Sequence, residues 1–188
     1  NVNCDDDPLG CWYMDSAVVH EHYTTKVFPS NRQWDYGYYV VGNDGHNHFG
    51  GPDNTTTGIL DMDARAFPIS FEKHENGNDF TTVLGHTLKN DPVMSYCSEG
   101  ITELNGNYML PSCEMQGGSS GGPWFSPIDI QGFGKIVSVS SWGFKEKAGL
   151  AAPKFYGGSK AQCMFEYARN LSLDGNRGLS LKGEILTC

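Results

Sequence analysis

The sequence predicts an all-β protein built as two Greek-key β-barrels, with one helix near the carboxyl terminus. Short runs of β-branched and aromatic residues alternate with turn clusters, and few segments have a helical period. The 188 residues include 24 glycines and 9 prolines, which imply many turns. Hydrophobic residues make up 38% of the chain, which is enough for a packed core. Short strands joined by long loops fit a pair of β-barrels.

Each predicted element follows from a local pattern. The clearest strands are predicted over residues 12–19, 36–41, 67–71, 81–84 and 135–141. Near the end of the chain, Ser159 is placed to cap a helix, and four apolar residues after it recur at i, i+3, i+4 and i+7. Those four residues are Met164, Tyr167, Ala168 and Leu171.

A glycine-rich segment presents a candidate nucleophile. Residues 117–125 read GGSSGGPWF, with Ser120 followed by two glycines and a proline. Glycines allow backbone angles and close approaches that a side chain would block. Such a turn can expose one hydroxyl and leave nearby backbone N–H groups about 3 Å from the place where an oxyanion forms. The segment therefore favours nucleophilic acyl transfer by Ser120.

This segment resembles the GDSGGP nucleophile loop of chymotrypsin-like serine peptidases. The resemblance aligns Gly118 with the first glycine and Ser120 with the nucleophile, and implies an oxyanion hole formed by their N–H groups. Ser119 stands where the trypsin branch has an aspartate that receives the new amino terminus after zymogen cleavage. We therefore do not expect that activation switch, and the loop looks closer to the bacterial glutamyl endopeptidase branch.

Two further segments agree with this resemblance in order. Ser141, Trp142 and Gly143 are similar to the family's SWG strand, which pairs with the substrate backbone and forms one wall of the specificity pocket. Residues 81–102 resemble a hairpin of the glutamyl endopeptidase branch. The resemblance implies substrate binding by the SWG residues and by Gln116, which precedes the nucleophile turn. An ordinary strand with a buried tryptophan is the alternative for the SWG segment.

Asp35 is the candidate acid of a catalytic triad. It stands before an aromatic and β-branched run, as the triad aspartate does in the resembled family. The alternative is a turn residue that opens a strand.

No histidine of this sequence stands at the position that the resembled family uses for the general base. In the chymotrypsin order the histidine precedes the aspartate by roughly 45 residues, which falls upstream of Asn1. His20 and His22 lie in a segment similar to the family's V-x-x-HPxY surface segment, which does no chemistry. The remaining histidines are interpreted as loop or structural residues. They are His46, His48, His74 and His86.

We therefore expect this polypeptide to begin after the catalytic histidine. Residues 1–70 would be the remainder of an incomplete amino-terminal barrel that carries Asp35, and residues 71–188 the carboxyl-terminal barrel that carries Ser120. An upstream segment, or a second chain from the same precursor, would supply the histidine and the missing strands. Alternatively, the protein lacks the base. These two alternatives leave three function classes for the protein. They are a serine endopeptidase that acts on polypeptides, a peptidase-like binding module and a structural component.

The cysteines indicate an oxidising compartment. Six cysteines without CxxC spacing favour disulfides over a metal site. Since near neighbours close most readily, the expected pairs are Cys4–Cys11, Cys97–Cys113 and Cys163–Cys188. Sequons at Asn54 and Asn170 are compatible with glycosylation, so a secreted glycoprotein is predicted.

Composition also excludes several partners. The net charge of −9 argues against nucleic acid and anionic membranes. No apolar run approaches the roughly 18 residues that span a bilayer. No cofactor or metal is expected, because Asp5, Asp6 and Asp7 are interpreted as a solvated loop and His46 with His48 as part of a glycine-rich loop.

Substrate specificity is only partly readable from the sequence. Glu114 would favour basic substrate side chains if it pointed into the pocket. Ser140 stands where glutamate-selective members of the resembled branch usually have a histidine. This difference argues against a preference for acidic substrate side chains in that pocket.

Overall fold

The computed structural model describes residues 4–42, 48–51, 56–74, 80–89, 93–115, 117–173 and 182–188. Short strands dominate these residues, and the only long helix lies near the carboxyl terminus. The strands are β1 (Cys11–Trp12), β2 (Ser16–His20), β3 (Gly37–Val40), β4 (His48–Phe49), β5 (Phe80–His86), β6 (Met94–Gly100), β7 (Thr102–Leu104), β8 (Asn107–Leu110), β9 (Pro123–Ile128), β10 (Gly134–Val139), β11 (Trp142–Gly143), β12 (Leu150–Ala152) and β13 (Lys182–Leu186). The α-helices are α1 (Glu21–Thr25), α2 (Leu60–Asp63) and α3 (Ala161–Leu173).

Contacts divide the chain into two compact units, each made of separate segments. The first unit comprises Asn1–Glu21, Gly37–Ala66 and Cys163–Cys188, and the second comprises His22–Tyr36 and Phe67–Gln162. Asp35 belongs to the second unit together with Ser120. The division into residues 1–70 and 71–188 remains a prediction about the two barrels.

The second unit contains two four-stranded sheets. One has the order β10-β9-β5-β6 and the other β11-β12-β8-β7, and the paired strands within both are antiparallel. Their apolar faces form a continuous core, since burial of alternating residues drives sheets to pack. The core residues are Val83, Ile101, Tyr108, Leu110, Cys113, Trp124, Val137, Leu150 and Ala152.

The first unit contains a three-stranded sheet of order β13-β2-β3, in which β13 runs parallel to β2 and β3 runs antiparallel. A separate pair, β1 with β4, lies in the same unit. Helix α3 buries Met164 and Ala168, as its apolar spacing predicts. No described helix has the length and apolar character needed to cross a bilayer.

Three local elements differ from the sequence predictions. The strand predicted over residues 12–19 is two strands, β1 and β2, because residues 13–15 belong to neither. Residues 67–71 make an isolated bridge between Ile69 and Ile136 instead of a strand. The hydroxyl of Ser159 donates to the carbonyl of Tyr156 at 3.4 Å within a 3₁₀ turn, and α3 begins at Ala161. Pairing with a distant strand and the turn before the helix decide these boundaries, and neither follows from local propensity.

The three expected disulfides are present in the structure: Cys4–Cys11, Cys97–Cys113 and Cys163–Cys188. The pair Cys97–Cys113 joins β6 to the segment that leads into the nucleophile turn. This bridge therefore limits the movement of the chain on the amino-terminal side of Ser120.

Three variants, each with both cysteines of one disulfide replaced by alanine, will be less stable than the unmodified protein. The loss of stability will increase with the length of the loop that the disulfide closes. The loops span 7, 16 and 25 residues. Loop-closure entropy gives losses of about 2.4, 3.1 and 3.5 kcal/mol respectively. Urea denaturation of the three variants measures this order. A loss at Cys4–Cys11 that exceeds the loss at Cys163–Cys188 would contradict it.

Candidate active site

The turn around Ser120 depends on three glycines. Gly118 has φ of +103° and Gly121 has φ of +80°, values that side chains of L-residues rarely allow. At Gly122 an added Cβ would lie 2.2 Å from the carbonyl oxygen of Leu84 on β5. Only glycine fits this close approach, so the glycines of the sequence motif produce the sharp turn that the motif predicted.

Backbone hydrogen bonds fix this turn to the segment that enters β11. The N–H of Gly121 donates to the carbonyl of Ser140 at 2.8 Å, and the N–H of Ser140 donates to the carbonyl of Gly122 at 2.9 Å. Ser140 also accepts a hydrogen bond at its Oγ from Nε1 of the fully buried Trp124, at 3.0 Å. Ser140 therefore couples the nucleophile turn to the core.

Ser120 lies at the end of this turn with its side chain exposed. No described residue hydrogen-bonds to its hydroxyl, and none accepts a hydrogen bond from the N–H groups of Gly118 and Ser120. Neighbouring Ser119 is buried instead. The turn thus combines one accessible hydroxyl with two available amide donors, which is the donor set that an oxyanion requires.

A cavity of about 640 Å³ opens beside Ser120. Two stretches, 113–120 and 140–150, supply its described lining residues. These stretches include the SWG residues and the turn itself, and the role of this cavity as a specificity pocket stays a prediction. Its rim carries charges of both signs, since Glu114, Glu146, Lys145 and Lys147 all line it.

Asp35 is joined to this region by a hydrogen bond. The hydroxyl of Ser141 donates to Oδ2 of Asp35 at 2.5 Å. Ser141 follows Ser140, whose backbone holds the nucleophile turn. The structure therefore connects Asp35 with the Ser120 turn through two consecutive serines.

The hydroxyl of Tyr23 also hydrogen-bonds to the carboxylate of Asp35. The negative charge of Asp35 raises the pKa of Tyr23, and burial and the hydrogen bond add to the effect. Sequence reasoning missed Tyr23. Tyr23 lies at the end of the segment that resembles the family's V-x-x-HPxY segment, and this position is the signal by which the sequence could have identified it.

Strand β11 lies at the edge of its sheet. It pairs with β12 on one side, and the strand order places no described strand on its other side. Gly143 is exposed at this edge. An unpaired edge can accept an extended peptide by main-chain hydrogen bonding, which is what the resemblance implies for the SWG residues.

No histidine is among the described residues that line the cavity. The ring of His22 packs against Trp34 at 4.6 Å between centroids, and His20 is buried on β2. The ring of His48 bonds to the carbonyl oxygen of Leu9 at 3.0 Å. His46 lies outside the described residues.

The catalytic, substrate-binding and glycosylation roles of the predicted site residues remain predictions. Gln116 and Asn54 lie outside the described residues, whereas Asn170 is exposed on α3. Within the described ranges, no group of three or more His, Cys, Asp or Glu side chains is arranged to hold a metal ion.

Comparisons with known proteins identify the fold. A scan against protein-family models and a search of curated proteins find no match. Among solved structures, the chain is similar to a thermostable serine protease, AL20, from an extremophilic microorganism, with a TM-score of 0.66 and 22% identity over 85% of this chain and 68% of that one. It is also similar to a Glu endopeptidase, with a TM-score of 0.58 and 15% identity over 84% of this chain and 63% of that one. The chain thus spans about two thirds of the length of these structures.

Substituting Gly122 with alanine will destabilise the protein by about 1–3 kcal/mol, because the new Cβ cannot be accommodated against the Leu84 carbonyl. Gly117→Ala is the matched control. Its Cβ would meet only Leu88 Cδ1, at 3.9 Å, so a change within about 0.5 kcal/mol is expected. Thermal unfolding measures both variants. Equal losses would show that the close approach to β5 does not constrain the turn.

Replacing Asp35 with asparagine will lower the pKa of Tyr23 back towards its ordinary value. The carboxylate opposes formation of the phenolate, so removing its charge makes the tyrosine easier to ionise. A pH titration of the tyrosine ring ¹³C resonances measures the shift. Burial raises the pKa of Tyr36 well above its ordinary value, and Tyr36 is the internal control whose titration should stay unchanged. An unaltered Tyr23 titration would refute the contact.

Proposed function

We propose that this chain, which has the fold of chymotrypsin-like serine peptidases, is the nucleophile-bearing part of a secreted serine endopeptidase. One observation carries the proposal: an exposed Ser120 in a glycine turn, with two available amide donors, beside a cavity and a peptide-accepting strand edge. Each feature answers a separate requirement of acyl transfer. Three disulfides support an oxidising compartment, and so secretion.

The mechanism begins with attack of Ser120 Oγ on the carbonyl carbon of a peptide bond. A histidine takes the hydroxyl proton, and the N–H groups of Gly118 and Ser120 stabilise the oxyanion. The histidine then protonates the departing amine as the carbonyl reforms, leaving an ester on Ser120. Water hydrolyses this ester with the same histidine as base, which releases the acid and restores the serine.

Asp35 orients the imidazole in this mechanism and stabilises its protonated form. The hydroxyls of Tyr23 and Ser141 hold the carboxylate in one orientation, which favours a fixed geometry for the base. A buried or restrained carboxylate of this kind is a positioning element, because it never contacts the scissile bond.

The histidine is proposed to come from an upstream segment or from a second chain of the same precursor. No histidine among the described residues lines the cavity, and the chain spans about two thirds of the solved structures of this fold. The second candidate function, a catalytically inactive module that binds peptides, is favoured by the same observation. It would use the cavity and the β11 edge without turnover.

A fluorophosphonate probe will distinguish the two functions, because it labels only an activated serine. We expect labelling of the protein purified from its natural source with all associated chains, and about a 10⁶-fold loss of peptide hydrolysis in Ser120→Ala. Peptide mapping by mass spectrometry locates the label.

The control is Ser112→Ala, since the side chain of Ser112 is also exposed and lies outside the cavity lining. This variant should be labelled like the unmodified protein. If the probe does not label the assembled protein, the peptidase function is refuted and the peptide-binding module remains as the candidate function. Labelling that persists in Ser120→Ala would show that another residue is the nucleophile.

A further inference from the structure

A further cavity, of about 550 Å³, lies in the same compact unit as Ser120. Its described lining comes from residues 68–74 and from residues 126–135 of the β9–β10 hairpin. It shares no described lining residue with the cavity beside Ser120, and the proposed mechanism uses none of its residues. Its volume falls in the range of sites that bind small molecules.

Backbone hydrogen bonds join the two walls of this cavity. The N–H of Ser70 donates to the carbonyl of Ile136, and the N–H of Ile136 donates to the carbonyl of Pro68, both at 2.8 Å. In the turn between β9 and β10, Oδ1 of Asp129 accepts a hydrogen bond from the N–H of Phe133 at 2.9 Å. The walls are therefore held by internal hydrogen bonds, and small-molecule sites are usually preformed in this way.

Ser126 brings an unused hydrogen-bond donor to the cavity. Ser126 is only 4% exposed, yet its hydroxyl donates to no described residue. Ser70 lines the same cavity and is also buried, and its Oγ accepts the N–H of Glu72 at 3.3 Å without donating its own proton to a described residue. A buried hydroxyl without a partner costs free energy, so such groups are generally completed by water or a ligand.

Lysines add positive charge to the lining. Lys73 and Lys135 both line the cavity, and neither forms an ion pair with a carboxylate in the part of the chain that the structure describes. Glu72 is the only carboxylate among the described lining residues. Two lysines beside one acid make a local excess of positive charge in a chain of net charge −9. This combination of cations and hydroxyl donors favours an anionic ligand.

The remaining wall of the cavity is apolar. Pro68, Pro127 and the half-buried Phe133 line it. An aromatic side chain and prolines offer flat apolar surfaces on which another ring can pack. The cavity therefore combines an anion-binding part with a part that suits a ring.

We propose that this cavity binds a small phosphate monoester of an aromatic ring. Lys73 and Lys135 bind the phosphate together with the hydroxyl of Ser126, and the ring packs against Phe133. A phosphate monoester carries about 1.5 to 2 negative charges at neutral pH and three acceptor oxygens, which match two lysines and two buried hydroxyls. A singly charged sulfate would leave one of the cations without a partner. This assignment does not depend on the proposed function.

The first experiment measures the binding of phenyl phosphate, phenyl sulfate, inorganic phosphate and phenol to the assembled protein by calorimetry. Constant ionic strength keeps general electrostatic attraction equal in all titrations. We expect phenyl phosphate to bind about tenfold more tightly than each of the other compounds, because it alone satisfies both cations and also fills the apolar part.

The second experiment repeats the titrations with variants of the lining. Lys135→Gln and Ser126→Ala should each weaken phenyl phosphate about tenfold, because each removes a hydrogen bond to a charged group, and should leave phenol unchanged. Phe133→Leu should weaken phenyl phosphate about threefold and leave inorganic phosphate unchanged. Lys89→Gln is the matched control, since Lys89 is an exposed lysine outside this lining, and it should keep the full affinity.

The outcomes separate a built site from general attraction. Phenyl phosphate that binds no more tightly than inorganic phosphate, phenol or phenyl sulfate would overturn the proposal. An equal loss in Lys89→Gln and Lys135→Gln would overturn it too. Circular dichroism verifies that each variant is folded, and Ser126→Ala supplies the same test if Lys135→Gln does not fold. Because no titration measures hydrolysis, the result stands whether or not Ser120 is a nucleophile.

Discussion

The backbone pairing between Ser140 and the nucleophile turn is the constraint on which the candidate site depends. Two hydrogen bonds join Ser140 to Gly121 and Gly122, and the indole of Trp124 anchors the Ser140 hydroxyl in the core. This arrangement holds the Ser120 turn and the start of β11 as one rigid piece. Because rigid positioning of reacting groups accounts for much of the acceleration in acyl transfer, the pairing would contribute directly to the proposed chemistry.

The same rigid piece organises the carboxylate. Ser141 continues from Ser140 and donates its hydroxyl to Asp35, and Tyr23 supplies a second hydroxyl. Two hydroxyl donors on one carboxylate restrict its rotation. Asp35 and the Ser120 turn are therefore linked through the consecutive residues Ser140 and Ser141, within a single compact unit.

The surface around β11 combines two features that suit the proposed binding of a peptide. No described strand pairs with its outer edge, and the neighbouring segment exposes the apolar side chains of Val27 and Phe28. In the proposed function, main-chain pairing at this edge would supply affinity that does not depend on the sequence of the peptide.

The sequence alone determined the features that depend on local pattern. Glycine spacing predicted the turn at Ser120, and short separations predicted all three disulfides, since nearby cysteines close small loops at low entropic cost. Tertiary structure decided the features that join distant segments. The contacts of Asp35 with Tyr23 and Ser141, and the stacking of Arg32 on Trp142, bring together residues from different segments of the chain. Local propensity carries no information about such pairs, because they form only when the sheets pack.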